Sequence, residues 1–327
     1  LSELEELSWG FEYQERFRLR KGISFTLGRA GHILGSCWIR FDLPGGGSIV
    51  FSGDLGARNT PILPDPDIPE LCDLLVMEST YGDRRHEDRA GRVLRLGRIL
   101  ERSLSDGGLV LIPAFALGRT QELVYEMDRL FSDPDHPFLK GKAKPPVFID
   151  SPLALEITRI YSRLSEYWNM EARDLLQRGD HPIDFDRLYA VEKAGDHHRL
   201  LELKGPAVII AGSGMCTGGR IVDHLKAHLG DPATDVLFVG YQADHTPGRA
   251  ILENAGRHGG AVVLDGREYA IHAAVHELGG YSAHADQAEL LAWAKAVSPK
   301  RVKLVHGEAG ARKALSEKLM CFGIMKS

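Results

Sequence analysis

The chain has 327 residues, 43% hydrophobic and 26% charged, which is too long for one ordinary core and too apolar for disorder, so one or two globular domains are expected. Forty Lys and Arg against forty-five Asp and Glu leave a formal charge of -5, which excludes a diffuse basic surface for nucleic acid or anionic lipid and leaves only a local patch for any polyanion. No apolar run approaches the ~20 residues of a membrane span, no secretory pattern opens the chain, and Cys37, Cys72, Cys216 and Cys321 form no CxxC, so the sequence reads as a soluble, cytoplasmic protein without a disulfide framework or cysteine zinc knuckle.

In chain order, short apolar runs end in small-residue loops and alternate with helical patterns, as expected of α/β layers. Ile49 to Phe51 leads into Ser52-Gly53-Asp54, and Leu74 to Met77 into Glu78-Ser79-Thr80-Tyr81-Gly82. A helix is predicted over 89–104, then a run from Leu109 to Ile112 ending in Pro113-Ala114-Phe115, then a helix over 118–131. Val147 to Ile149 ends in Asp150-Ser151-Pro152 before a helix at 153–167, and Val208 to Ala211 ends in Gly212-Ser213-Gly214-Met215 before one at 218–229. Val236 to Val239 ends in Gly240-Tyr241, and Ala274 to Leu278 in Gly279-Gly280-Tyr281. A helix at 286–296 precedes Val302 to Val305, which runs into His306-Gly307-Glu308 and a last helix at 310–321. Stretches rich in Pro and Asp at 61–69 and 133–146 read as surface loops.

His32, Asp54, Glu78, His284 and His306 all fall in short loops containing Gly or Ser, four of them just after a β-type run. Rigid strands position such loops, and α/β proteins assemble their sites there. Imidazole and carboxylate oxygen are the ligands that zinc and harder divalent cations accept, and a carboxylate can bridge two ions. Each loop alone is explained as well by a structural histidine; the combination is what suggests a metal centre.

Six strings in order resemble the β-CASP group of metallo-β-lactamase-fold nucleases, which includes the RNA 3′-end-processing endonuclease and its bacterial and archaeal relatives. They are Gly31-His32-Ile33-Leu34-Gly35-Ser36, Phe51-Ser52-Gly53-Asp54-Leu55-Gly56, Met77-Glu78-Ser79-Thr80-Tyr81-Gly82, Ile112 to Arg119, Tyr281-Ser282-Ala283-His284-Ala285-Asp286 and Leu304-Val305-His306-Gly307-Glu308. The resemblance spans nearly the whole chain. It implies an α/β fold: a metallo-β-lactamase αββα sandwich at 1–84 and 267–327, with an inserted β-CASP domain at 85–266. It further implies that His32 is a zinc ligand, that Asp54 bridges two zincs and that His306 binds the second. Glu78 would orient His284, which would contact the scissile phosphate or protonate the leaving oxygen. A histidine at 306 favours the RNA-directed branch of the group.

The family's first metal motif, His-x-His-x-Asp-His, is missing, and residues 1 to 31 contain no histidine. The chain is therefore expected to be N-terminally incomplete, lacking the first strands of the sandwich and holding three of seven expected ligands, His32, Asp54 and His306. A catalytic zinc usually takes three protein ligands, so tight binding of two zincs by this piece alone is not expected.

In the middle section, Gly212 to Arg220 is a glycine-rich turn before a helix, without the Gly-Lys-Ser/Thr ending of a Walker loop. Free N–H groups at a helix start accept phosphate, and by resemblance Ser151, Ser213, Gly214 and Arg119 are the candidates for contact with the RNA backbone; tight packing by glycine explains the turn equally well. The arginines at 84, 85, 89, 92, 95, 98 and 102 are interleaved with Glu87, Asp88 and Glu101, which favours a solvated ion-paired face over a phosphate stripe. The pairs His197-His198 and His224/His228 match no family motif and read as surface residues, and His272 and His276 as groups that pack or that support the site's ligands. The expected function is zinc-dependent hydrolysis of RNA phosphodiester bonds by water activated between two metals, with His284 as proton donor. Single-stranded RNA is the expected partner, membranes are not, and a homodimer is allowed. The alternative is a catalytically inactive RNA-binding or scaffold subunit.

Overall fold

The computed structural model describes residues 6, 8–87, 89–133 and 144–324. Asp88 and most of the predicted loop at 133–146 lie outside the described residues. The chain divides into two compact units, Leu1–Arg85 with Ala283–Ser327, and His86–Ser282.

In the first unit, β1 (Arg16–Arg18), β2 (Ser24–Arg29), β3 (Cys37–Asp42), β4 (Ser48–Phe51), β5 (Leu74–Met77) and β14 (Arg301–Leu304) form one sheet in the order β1-β2-β3-β4-β5-β14. The first three pairings are antiparallel, whereas β4 with β5 and β5 with β14 are parallel. Two antiparallel steps restore direction, so β2, β4, β5 and β14 all run the same way and their C-terminal loops emerge along one edge. Strands β1 to β3 form no apolar run, because Arg16, Arg18, Gly28 and Arg40 interrupt them. Two helices, α8 (Gln287–Val297) and α9 (Ala309–Cys321), supply Leu290, Trp293, Val297, Leu315 and Leu319 to a core shared with Trp38, Val50, Leu75 and Met77. Helix α8 starts where predicted because Asp286 and Glu289 form a reciprocal cap: Glu289 N–H donates to Asp286 Oδ1 and Asp286 N–H to Glu289 Oε2, each at 2.9 Å.

The second unit is built on an all-parallel sheet. Its strands β6 (Leu109–Pro113), β7 (Val147–Ile149), β8 (Leu188–Ala190), β9 (Ala207–Ala211), β10 (Asp235–Phe238) and β13 (Ala274–Glu277) lie in the order β13-β10-β6-β9-β7-β8. Every residue of β6 and β9 is buried, which is why these strands read as unbroken apolar runs and not as alternating ones. Helices α1 (Arg89–Ser105), α2 (Arg119–Ser132), α3 (Pro152–Arg163) and α6 (Arg220–His228) lie close to their predicted spans. Three more, α4 (Met170–Gln177), α5 (Ala194–Leu200) and α7 (Pro247–Asn254), are too short for helical periodicity to declare them. A separate hairpin, β11 (Ala261–Leu264) with β12 (Arg267–Ala270), precedes β13. Residues 267–282, which the sequence groups with the C-terminal return, thus contribute β12 and a sheet strand to this second unit.

The arginine-rich face of α1 also differs from expectation. Arg92 is 3% exposed and pairs with Glu122 and Glu126, each at 2.8 Å, while donating to Gly280 O and lying 4.6 Å from the Tyr281 ring centroid. Arg95 fits the ion-paired reading, with Glu87 at 2.7 Å. Spacing by three places these side chains on adjoining faces, and it is packing that turns one of them inward.

Candidate active site

The parallel edge of the first unit carries the acidic and imidazole groups singled out in the sequence. His32 follows β2, Asp54 follows β4, Glu78 follows β5, His306 follows β14, and His284 lies just before α8. Backbone contacts hold the loops together: Gly56 N–H donates to Ala30 O at 2.7 Å, Ala285 N–H to Leu55 O at 2.7 Å, and Ala57 N–H to Ala283 O at 3.1 Å. Gly56 is required for this approach, because a Cβ there would lie 2.0 Å from Gly31 O. His306 takes a left-handed backbone (φ 46°) and is fixed by Ser79, whose N–H donates to His306 O at 2.7 Å and whose hydroxyl donates to Val305 O at 2.9 Å.

The side chains converge. His32 and His284 have ring centroids 4.3 Å apart, His284 and His306 5.7 Å apart, and His306 Nε2 lies 3.7 Å from Asp54 Oδ1. One potential ligand atom from each of His32, Asp54 and His284 lies within 4.8 Å of the others. Nδ1 of His32 is buried without a hydrogen-bond partner. Burial, then the neighbouring His284, hold its ring below the usual imidazole range, against the opposing pull of Asp54 and Glu78. A neutral ring with an unused buried nitrogen is the form that coordinates a cation, so the donor set fits a metal of zinc's preferences.

Glu78 is 1% exposed. Its Oε1 accepts from Leu55 N–H at 2.6 Å and from His284 Nδ1 at 3.1 Å, and its Oε2 from the Thr80 hydroxyl at 2.5 Å. Burial alone would raise this carboxyl; His284, Thr80 and Leu55 together outweigh it and hold Glu78 below the usual range as a carboxylate. The contact with Glu78 thus engages Nδ1 of His284 and sets the orientation of the ring.

The RNA-contact candidates lie in the second unit. Ser151 caps α3, accepting from Ala154 N–H at 3.3 Å beside Pro152 at the first helical position. Ser213 accepts from Thr217 N–H through its hydroxyl at 2.9 Å, while its own N–H donates to Gly218 O at 3.0 Å and closes the glycine turn. The other two candidates are more enclosed. Gly214 is buried against the Phe115 ring, and its carbonyl oxygen accepts from the Gln242 amide at 2.9 Å. Arg119 is 7% exposed, ion-paired with Glu122 and 5.7 Å from the Tyr281 ring centroid.

The paired histidines are also corrected. His197, His224 and His228 are buried, and only His198 of the four is exposed. His197 and His224 meet Asp150, an arrangement that the four-residue spacing of His224 and His228 does not foreshadow, since His228 takes no part and Asp150 lies 74 residues from His224. His276, on β13, pairs with Asp235 as a packing group.

Fold and site together define a metallo-hydrolase with an inserted α/β domain. Residues 120–251 match the family model described as the Beta-Casp domain, and residues 268–325 the one described as the Zn-dependent metallo-hydrolase RNA specificity domain. The chain is 40% identical over 314 residues to Ribonuclease TTHA0252 of Thermus thermophilus, covering 95% of this chain and 67% of that protein. It is 33% identical over 307 residues to transcription termination factor FttA of Pyrococcus abyssi and 33% over 308 residues to FttA of Thermococcus kodakarensis, in each case covering 91% of this chain and 46% of the relative. The chain thus spans two thirds of the Thermus protein and about half of the archaeal ones. It belongs to the β-CASP family of metallo-β-lactamase-fold ribonucleases, and the metallo-β-lactamase fold with an inserted β-CASP domain read from its motifs is confirmed. No helix among the described residues is long and apolar enough to cross a membrane.

Proposed function

We propose that this protein hydrolyses phosphodiester bonds of single-stranded RNA in a zinc-dependent reaction, using two metal ions. The observation that carries the reading is the buried Glu78 carboxylate held against His284, beside the convergent donors His32, Asp54 and His306. Zinc at this site would supply an acidified water and positive charge for the non-bridging phosphate oxygens. His32 would hold one ion with its neutral ring, Asp54 would bridge, and His306 would hold the second. Glu78 fixes the tautomer and orientation of His284, so that Nε2 faces the reacting phosphate. His284, held in place by Glu78, would give a proton from Nε2 to the departing ribose oxygen. Ser151 and Ser213, at the carboxyl edge of the parallel sheet, would meet the RNA backbone.

The similarity to a protein named as a ribonuclease supports this reading. A purely RNA-binding scaffold would have no use for a desolvated carboxylate aimed at a histidine. The test is cleavage of end-labelled single-stranded RNA by the zinc-loaded protein with and without EDTA, alongside metal analysis. Cleavage that survives EDTA would overturn the metal-dependent mechanism, and zinc-loaded protein that binds RNA without cutting it would favour the scaffold.

A further inference from the structure

A second cluster of ionisable groups, in the inserted unit, takes no part in the chemistry above. Asp150 follows β7 directly, is 0% exposed and precedes Ser151. Its Oδ1 accepts from Arg220 at 2.7 Å, and its Oδ2 accepts from His197 Nδ1–H and His224 Nε2–H, each at 2.6 Å. Arg220 also donates to Val191 O at 2.8 Å and Glu192 O at 2.9 Å. One carboxylate thereby ties together the ends of β7 and β8, helix α5 and the first two turns of α6.

Ligand atoms of Asp150, His197 and His224 are close enough to suggest a cation site, but the distances argue otherwise. Two ligands on one zinc at ~2.0 Å stand more than ~3 Å apart in a tetrahedral site, whereas these oxygen–nitrogen separations of 2.6 Å are hydrogen bonds. The guanidinium of Arg220 already provides the fixed positive charge. Burial opposes the charge on Asp150, yet His224, His197 and Arg220 hold it below the usual carboxylate range, so it stays an acceptor.

Burying a carboxylate is costly, and apolar side chains would join these strand ends at least as firmly. What the cluster supplies is direction. Arg220 begins α6 and immediately follows the glycine turn, which is closed by Ser213 N–H to Gly218 O and Ile221 N–H to Gly212 O, each at 3.0 Å. Gly219 has φ 76°, and a Cβ there would lie 2.4 Å from Gly212 O, so the turn cannot relax independently of Arg220. On the other side of the cluster Ser151 abuts the same turn: a methyl on Gly212 would lie 3.7 Å from Ser151 Oγ.

We propose that Asp150 is a positioning residue for RNA: with His197, His224 and Arg220 it sets the spacing between Ser151 and the Gly212 to Gly219 turn, so that both meet the RNA backbone at once. The inference rests on the ribonuclease reading given above. Asn at position 150 keeps the volume but turns an N–H group toward one of three donors, so the spacing is lost while the apolar core stays.

The test compares wild type, Asp150→Asn and Arg220→Lys, all as the zinc-loaded full chain, on two substrates. One is labelled single-stranded RNA, with its affinity measured separately by fluorescence anisotropy in EDTA; the other is bis(p-nitrophenyl) phosphate, which carries a scissile phosphodiester but no RNA chain. Both variants should raise KM and Kd for RNA on the order of tenfold, with zinc content and small-substrate hydrolysis within about twofold of wild type. Arg220→Lys retains the charge and loses the planar fork, and it decides the matter if Asp150→Asn does not fold. Unchanged RNA affinity in a folded variant, or equal loss on both substrates, overturns the positioning role. Wild-type protein that leaves RNA intact overturns the ribonuclease reading and this inference with it.

Discussion

Nδ1 of His284 lies 3.1 Å from Oε1 of Glu78 across 206 residues of sequence, and the carboxylate is 1% exposed. A buried acid in contact with a half-buried imidazole sets the orientation of the ring, and that orientation organises the proposed chemistry.

Glu78→Gln is expected to lower the single-turnover rate of RNA cleavage by roughly 10²–10⁴-fold. The amide can still accept from Leu55 N–H, so the loops should hold and bound zinc should match wild type by elemental analysis. Loss of metal together with activity would assign Glu78 to the ligand shell instead.

His284→Ala separates two roles that the geometry allows, since this ring lies within ligand reach of His32 and Asp54 as well as against Glu78. If it is the proton donor, cleavage falls by about 10²–10⁴-fold with zinc content intact. A fall in zinc equivalents would make it a ligand.

Gly56→Ala should damage the metal centre without touching any donor. The added methyl would sit 2.0 Å from Gly31 O, forcing apart the loops that carry His32 and Asp54. Zinc affinity measured by competition with a chelator should drop, whereas the second unit, probed by hydrogen exchange, should be unaffected.

Asp73 provides a test of stability against pH far from the site. Its carboxylate accepts from Lys300 at 2.6 Å and from Ser48 N–H at 2.7 Å, and these contacts, Lys300 first, pull it from 3.8 down to about 2. A folded value below the unfolded one means that the contribution is fully present above about pH 4 and is lost as pH falls toward and through about 2. Denaturant unfolding of wild type and Asp73→Asn should therefore converge over that window and differ above it. A constant difference between them would show that Asp73 acts through something other than its charge.

How far the sequence reaches is seen residue by residue. The order of apolar runs and small-residue loops located β4 to β7, β9, β10, β13 and β14, because strands buried on both faces or ending in tight turns leave a local mark. The same pattern picked out His32, Asp54, Glu78, His284 and His306, since each sits where a strand or helix boundary forces a short loop. Strand β1, reading Arg-Phe-Arg, and helix α5, reading Ala-Gly-Asp-His-His-Arg-Leu, left no such mark; they are held by neighbours, not by their own patterning. Tertiary structure alone decided the direction of individual side chains. It turned Arg92 inward to Glu122, placed Gly214 beneath Phe115, and drew His197 and His224 onto Asp150. Periodicity reports which face of an element is apolar, but a buried charge is settled by partners 30 to 74 residues away, as with Arg92 and Glu122 or Asp150 and His224. Those partners meet only once the sheets have formed, and without them the cost of desolvation would have kept each charge in water.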